Sequence, residues 1–155
     1  MNKTYVLDCT LRDGGYINQW QFGENNIKKI ISNLIDSKID IIECGFLTEN
    51  NEWDPNSSLY DSIERIAQYL PIHRRDSMIV CMINYGEYDV EKLPQYDGTS
   101  IDGIRVVFHK KDINKALKMC EIIISKGYKL FVQPMVSISY TDEEFINLIN
   151  KSNKL

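Results

Sequence analysis

Five short apolar runs alternate with amphipathic stretches along this 155-residue chain, and that alternation is the strongest constraint on its fold. The runs at 5–7, 40–46, 77–84, 104–109 and 128–135 are rich in β-branched and aromatic residues and read as buried strands. Residues 24–37 place Ile27, Ile30, Ile31, Leu34 and Ile35 at helical spacing. A second helix is predicted from Ser57 or Ser58, carrying Leu59, Ile63, Ile66, Ala67 and Leu70 and stopped by Pro71. A third spans 112–126, with Ile113, Ala116, Leu117, Cys120, Ile123 and Ile124 inward and Gly127 as its C-cap. Thr141 and Glu144 form the signature of a capping box for a fourth helix, running to about residue 150. Residues 85–100 are irregular, with one helical turn near 90–93.

Regular βα alternation implies a parallel sheet with right-handed crossovers. Two architectures satisfy it. A doubly wound sheet is complete with five strands, and spacing alone favours it. A (β/α)8 barrel needs eight strands and roughly 250 residues. Against the doubly wound sheet, no Gly-rich phosphate fingerprint follows a strand, since Asp13-Gly14-Gly15-Tyr16 is not GxGxxG.

Composition narrows the function classes. The chain is 43% hydrophobic and 26% charged with a net charge of −4, which suits one globular domain with its own core. No basic stripe tracks phosphates, so no nucleic-acid partner is expected; Arg74-Arg75 and Lys110-Lys111 read as solvated pairs. No apolar leader opens the sequence and no apolar run reaches the length of a membrane span, so a cytoplasmic location without membrane contact is expected. Cys9, Cys44, Cys81 and Cys120 lack metal-finger or CxxC spacing and read as reduced, mostly buried thiols.

The chemistry concentrates in Leu7-Asp8-Cys9-Thr10-Leu11-Arg12-Asp13-Gly14-Gly15. A strand runs straight into two acids, an arginine and a double glycine, on what reads as a loop. Ionised groups at a buried strand end must pair or bind a ligand. An Arg–Asp pair that merely pins a tight turn also fits. Glu43 is an acid within an apolar strand and has to find a cation, with Arg12 and Arg105 as the available counter-charges.

Asp8-Cys9-Thr10-Leu11-Arg12-Asp13-Gly14-Gly15 resembles the D-T-T-L-R-D-G signature that opens the barrel of the metal-dependent aldolases and acyl-transferring lyases. That superfamily includes 4-hydroxy-2-oxovalerate aldolase, hydroxymethylglutaryl-CoA lyase and isopropylmalate synthase. Ile42-Glu43-Cys44-Gly45-Phe46 resembles its second strand, residues 104–109 the fourth strand of the hydroxy-oxovalerate aldolases, and residues 132–137 their fifth. The resemblance implies an α/β fold consisting of the N-terminal five βα units of a (β/α)8 TIM-type barrel. Residues 1–155 would then be a single partial-barrel domain, the N-terminal part of a longer barrel or a remnant of one. Its open edges imply self-association or a C-terminal half supplied elsewhere.

The resemblance also implies roles. Arg12 steadies an enolate of a 2-oxo acid substrate, and Asp13 binds a divalent metal, Mn2+ or Mg2+, with no organic cofactor. The family's His-x-His ligand pair has no counterpart, because the only histidines are His73 and His109. Where the hydroxy-oxovalerate aldolases have a catalytic histidine, this chain has Tyr16, a weaker base near neutral pH. Asp8 either aims an arginine or caps nearby amides. Glu43 and Arg105 either orient the site or form a structural pair. His109 ends the fourth strand and either lines the site or is structural, whereas His73 reads as surface loop. Gln133 reaches substrate oxygen or bonds across the barrel. Trp20 and Phe22 read as packing residues of a lid or floor. The expected activity is carbon–carbon bond cleavage or formation next to a 2-oxo acid. A non-catalytic remnant that binds a small anion or a protein is the alternative.

Overall fold

The structure, a computed structural model, describes residues 4–72 and 76–155. The readings of Met1–Lys3 and of His73, Arg74 and Arg75 lie outside the described residues.

Six strands form one sheet: β1 (Leu7–Asp8), β2 (Ile41–Leu47), β3 (Leu59–Tyr60), β4 (Met78–Asn84), β5 (Gly103–Phe108) and β6 (Lys129–Pro134). Every strand pairing is parallel. The order is β1-β2-β4-β5-β6, with β3 beside β2. This order follows the chain without reversal. A doubly wound sheet needs a reversal, at which its ligand crevice forms. The fold is instead a parallel α/β half-barrel flanked by helices.

Alternation along the strands separates two packed faces. Ile42, Ile79, Cys81, Ile83, Ile104 and Val106 point to the main core. Helix α3 (Glu24–Asp36) covers that face with Ile27, Ile31 and Ile35, and α5 (Ile113–Ser125) with Ala116, Leu117, Met119, Cys120 and Ile123. Met119 is buried although it was not expected inward, whereas Ile124, expected inward, is only half-buried. On the opposite, inner face Phe46, Met82 and Val107 cluster with Trp20 and Leu59. Helix α6 (Asp142–Ser152) opens with the expected capping box. Among the described residues, no helix is long and apolar enough to cross a membrane.

Several expectations are corrected. The first strand begins at Leu7, not Tyr5, and Tyr5 and Val6 are exposed, as residues leading into an edge strand can be. Arg12 and Asp13 sit on helical turns rather than a loop: α1 (Thr10–Asp13) runs through Gly14 into α2 (Gly15–Asn18). The helix expected from Ser57 or Ser58 to Leu70 is split into β3 and a shorter α4 (Ile63–Ala67). Pairing decides this. β1 leaves the edge of β2 after Asp8, and Leu59 and Tyr60 take up that edge opposite Phe46 and Leu47. The connection from β4 to β5 holds the single helical turn expected near 90–93, a 3-10 turn at Val90–Lys92, and no α-helix, so the regular βα alternation is interrupted there. Tyr88, Val90, Leu93 and Ile101 fill the main core from this connection.

Candidate functional site

The polar centre of the inner face is Glu43, fully buried in the middle of β2. Its Oε2 accepts a 2.9 Å hydrogen bond from Arg12 Nε and lies 2.8 Å from Arg105 Nη1. Each arginine side chain is 13% exposed. Arg105 Nη1 meets the distance of an ion pair but not the angles of a hydrogen bond. Arg105 Nη2 donates to Gln133 Oε1 on the neighbouring β6. One buried carboxylate thus sits between two guanidinium groups from different elements.

Arg12 reaches this place because the chain turns into α1 directly after β1. Arg12 N and Asp13 N donate to Cys9 O at 3.1 and 2.7 Å. Two side chains fix the turn from outside: Ser58 Oγ donates to Leu11 O at 2.6 Å, and Trp20 Nε1 donates to Arg12 O at 2.8 Å. Burial alone would lower the Arg12 pKa. The hydrogen bond and charge of Glu43, with the charge of Asp13, outweigh it and raise the pKa, so the guanidinium stays charged. Nε and Nη1 of Arg12 are engaged by Glu43 and Asp13, which leaves Nη2 for a ligand.

The remaining residues are placed as follows. Asp13 is 62% exposed, and its Oδ1 accepts from Arg12 Nη1 at 2.7 Å. Asp8 does not aim an arginine; its carboxylate accepts from the backbone N–H and hydroxyl of Thr10 at 2.9 and 3.0 Å and shapes the start of α1. Tyr16 is exposed on α2, with its ring edge-on to Trp20 at 4.9 Å. His109 is exposed after β5 and is not brought to Glu43 by any recorded contact. Trp20 packs edge-on to Phe46 at 5.8 Å and closes the inner cluster, whereas Phe22 packs on the main core.

A divalent metal needs several converging oxygen or nitrogen donors. Among the described residues, no three His, Cys, Asp or Glu side chains converge in that way. Asp13 is already tied to Arg12, and Glu43 is sandwiched between cations. The described side chains alone therefore do not fit a divalent metal centre.

Sequence reasoning missed Ser58 as the anchor of the Arg12 turn, and the asparagines beside Trp20 at the C-terminal ends of β2 and β4. Asn84, which closes the apolar run Met-Ile-Val-Cys-Met-Ile, was a usable signal, because barrel sites gather at strand C-termini.

No family model matches the chain, and no curated protein matches it. Among solved structures it is similar to the N-terminal domain of a proposed aldolase from Bacteroides vulgatus, with a TM-score of 0.64 and 20% identity. The match covers 97% of this chain and 60% of that one. At this identity the likeness concerns the fold alone: the chain has an aldolase-like half-barrel fold and spans 60% of the length of the domain it resembles.

Proposed function

We propose that this chain supplies the oxo-acid side of a carbon–carbon lyase site. The observation that supports the reading most is Arg12, held charged and oriented by the buried Glu43 with one edge of its guanidinium uncommitted. It sits just beyond a strand end, where barrel enzymes place their chemistry.

In the cleavage direction, the substrate is a 4-hydroxy-2-oxo acid. Its hydroxyl proton goes to a base, the C3–C4 bond breaks, and an aldehyde departs. The bonding electron pair passes to the 2-oxo group as an enolate, and a proton then adds at C3 to give the 2-oxo acid. Arg12 donates to the enolate oxygen, where negative charge develops. Arg105 and Glu43 hold its geometry, and Gln133 holds Arg105. Tyr16 is the candidate to hold the hydroxyl proton. The donors a Mn2+ or Mg2+ ion would need beyond Asp13 come from outside these residues. The free edges of the sheet at β1 and β6 support a second copy or a further barrel half as their source.

That no metal-type donor cluster forms around Asp13 among the described residues favours a second reading, a non-catalytic module that binds a small anion at the uncommitted edge of Arg12. Oxalate, a planar mimic of the enolate of pyruvate, is the first probe for both. Titration calorimetry is expected to show oxalate binding that weakens about tenfold or more in Arg12→Ala, the loss of one charged hydrogen bond. Equal binding in the variant, with folding checked by circular dichroism, removes Arg12 from the site and sinks both readings. Turnover of 4-hydroxy-2-oxovalerate by the chain, alone or with a further barrel half added, distinguishes the lyase from the binding module.

A further inference from the structure

A cavity of about 250 Å³ lies at the C-terminal ends of β2 and β4, against β3. Its lining includes the aromatic residues Tyr16, Trp20 and Phe46. It also includes three amides, Asn50, Asn51 and Asn84. The single charged residue lining it, among the described residues, is Glu87. We infer that this cavity is the acceptor subsite of the proposed reaction and that it takes a neutral aldehyde bearing several hydroxyl groups. The inference rests on the lyase reading for its role, but its ligand class follows from the cavity alone.

Three features set that class. No cation faces the cavity and one carboxylate does, so a phosphate or carboxylate on the acceptor is repelled rather than bound. An alkyl aldehyde fails for the opposite reason. It would bury the amides without giving them partners, at a cost of about 1–3 kcal/mol for each group left unpaired. Asn84 Nδ2 donates to Glu87 Oε2 at 2.9 Å, which fixes the amide and leaves its oxygen free. The side-chain amides of Asn50 and Asn51 make no recorded hydrogen bond to a described residue. A polyol matches this mixed lining, with hydroxyls for the amides and C–H faces for the rings.

Trp20 joins the cavity to the chemistry. Its ring lines the cavity while its Nε1 holds the carbonyl of Arg12. The cavity is thereby one indole away from the Arg12 turn, and the proposal puts the acceptor carbonyl there. In the bond-forming direction the enolate carbon attacks the aldehyde carbon, the C=O electron pair moves to its oxygen, and the oxygen takes a proton. Tyr16, on the cavity wall, is placed to supply it.

The chain's two tryptophans provide the test, because Trp20 lines the cavity and Trp53 does not. With 15N-labelled full chain, erythritol serves as an unreactive polyol probe and the indole N–H signals are followed by NMR. Erythritol is expected to shift the Trp20 signal saturably and leave Trp53 unmoved. Glycerol 3-phosphate and n-butanol are expected to shift it less at equal concentration. Asn84→Leu, and separately Asn51→Leu, are expected to weaken erythritol binding about fivefold, the loss of one neutral hydrogen bond. An unmoved Trp20 signal, or glycerol 3-phosphate binding as well as erythritol, overturns the inference. Oxalate titrated into the same sample separates the two proposals. Oxalate binding without erythritol binding sinks the acceptor cavity alone. Erythritol binding without oxalate binding sinks the oxo-acid reading and leaves a polyol site.

Discussion

The fully buried Glu43 accepts a 2.9 Å hydrogen bond from Nε of Arg12, a residue 31 positions earlier on a different element. Its Oε2 is shared with Arg105, and its Oε1 has no hydrogen-bond partner among the described residues. The carboxylate is tolerable there because two cations flank it. Glu43→Ala would leave the nearly enclosed Arg105 without its carboxylate and Arg12 with only the exposed Asp13 as counter-charge. It is expected to cost about 3–5 kcal/mol in urea unfolding, the scale of breaking a buried ion pair. Glu43→Gln, which keeps the shape and an acceptor, is expected to cost less. A change within about 1 kcal/mol for Glu43→Ala, the range of exposed pairs, would show that water already screens the cluster.

Gly45 is expected to tolerate no side chain. Its φ is +146°, and an added Cβ would sit 2.0 Å from Ser58 O and 2.9 Å from the ring of Tyr60. Ser58 O accepts from Phe46 N at 3.1 Å, so the clash falls on the bond that starts the β2–β3 pairing. Ser58 also anchors the Arg12 turn through Leu11 O. Gly45→Ala should therefore destabilise by roughly 3 kcal/mol, combining overpacking and backbone strain. It should also weaken oxalate binding, because β3 and the turn move together. Thermal unfolding and calorimetry on one preparation check both effects.

Much of the fold was legible because its causes are local. The apolar runs of β2, β4, β5 and β6 and the periods of α3 and α5 announce themselves within a few residues. Thr141 and Glu144 do the same for α6. β3 was not legible, since Leu59 and Tyr60 also fit a helical period and become a strand only because β1 vacates the edge of β2. In the candidate site, the demand of Glu43 for a cation could be read from its apolar strand, and both arginines now stand beside it. The competition for Asp8 was invisible: Thr10, two residues on, takes the carboxylate before any arginine does. The asparagine-lined cavity assembles from loops whose convergence no spacing encodes.

Glu144 is expected to titrate below the usual carboxylate range. The hydrogen bond from Lys110 Nζ at 2.5 Å and that from Thr141 N at 2.8 Å both favour its ionised form and lower its pKa. A depressed folded-state pKa adds stability that is present above the unfolded value and is lost as pH falls through the folded one. The start of α6 should thus persist through the ordinary glutamate range near 4.3 and loosen only at more acidic pH. A carboxyl-detected NMR titration measures the midpoint, and Lys110→Ala should move it back up. A midpoint unchanged by that substitution would assign the shift to the capping box alone.

The thiols are expected to be slow nucleophiles. Burial pushes Cys120 up to about 12 and raises Cys81 as well. Cys44 is fully buried, while Cys9 is only half-buried. Burial raises the Cys9 pKa too, although Arg12 pulls against it. At pH 8 a thiol with a pKa near 12 is ionised in roughly one molecule in ten thousand, which makes alkylation negligible on the minute scale. Iodoacetamide mapped by mass spectrometry should label Cys9 first and the other three only on unfolding. Rapid labelling of Cys120 in the native state would mean that α5 opens from the sheet.

Asp13 gives the most direct check on metal chemistry. Its carboxylate is exposed, bonds Arg12 Nη1 at 2.7 Å, and has no converging donor set among the described residues. One carboxylate completed by water competes poorly with bulk water for Mn2+ or Mg2+, which tight sites hold with several oxygen ligands. The chain alone is therefore expected to bind Mn2+ only in the millimolar range by water-proton relaxation, with Asp13→Ala changing little. Micromolar binding abolished by Asp13→Ala would overturn this. It would mean that a second copy completes the site, and the affinity should then rise with protein concentration.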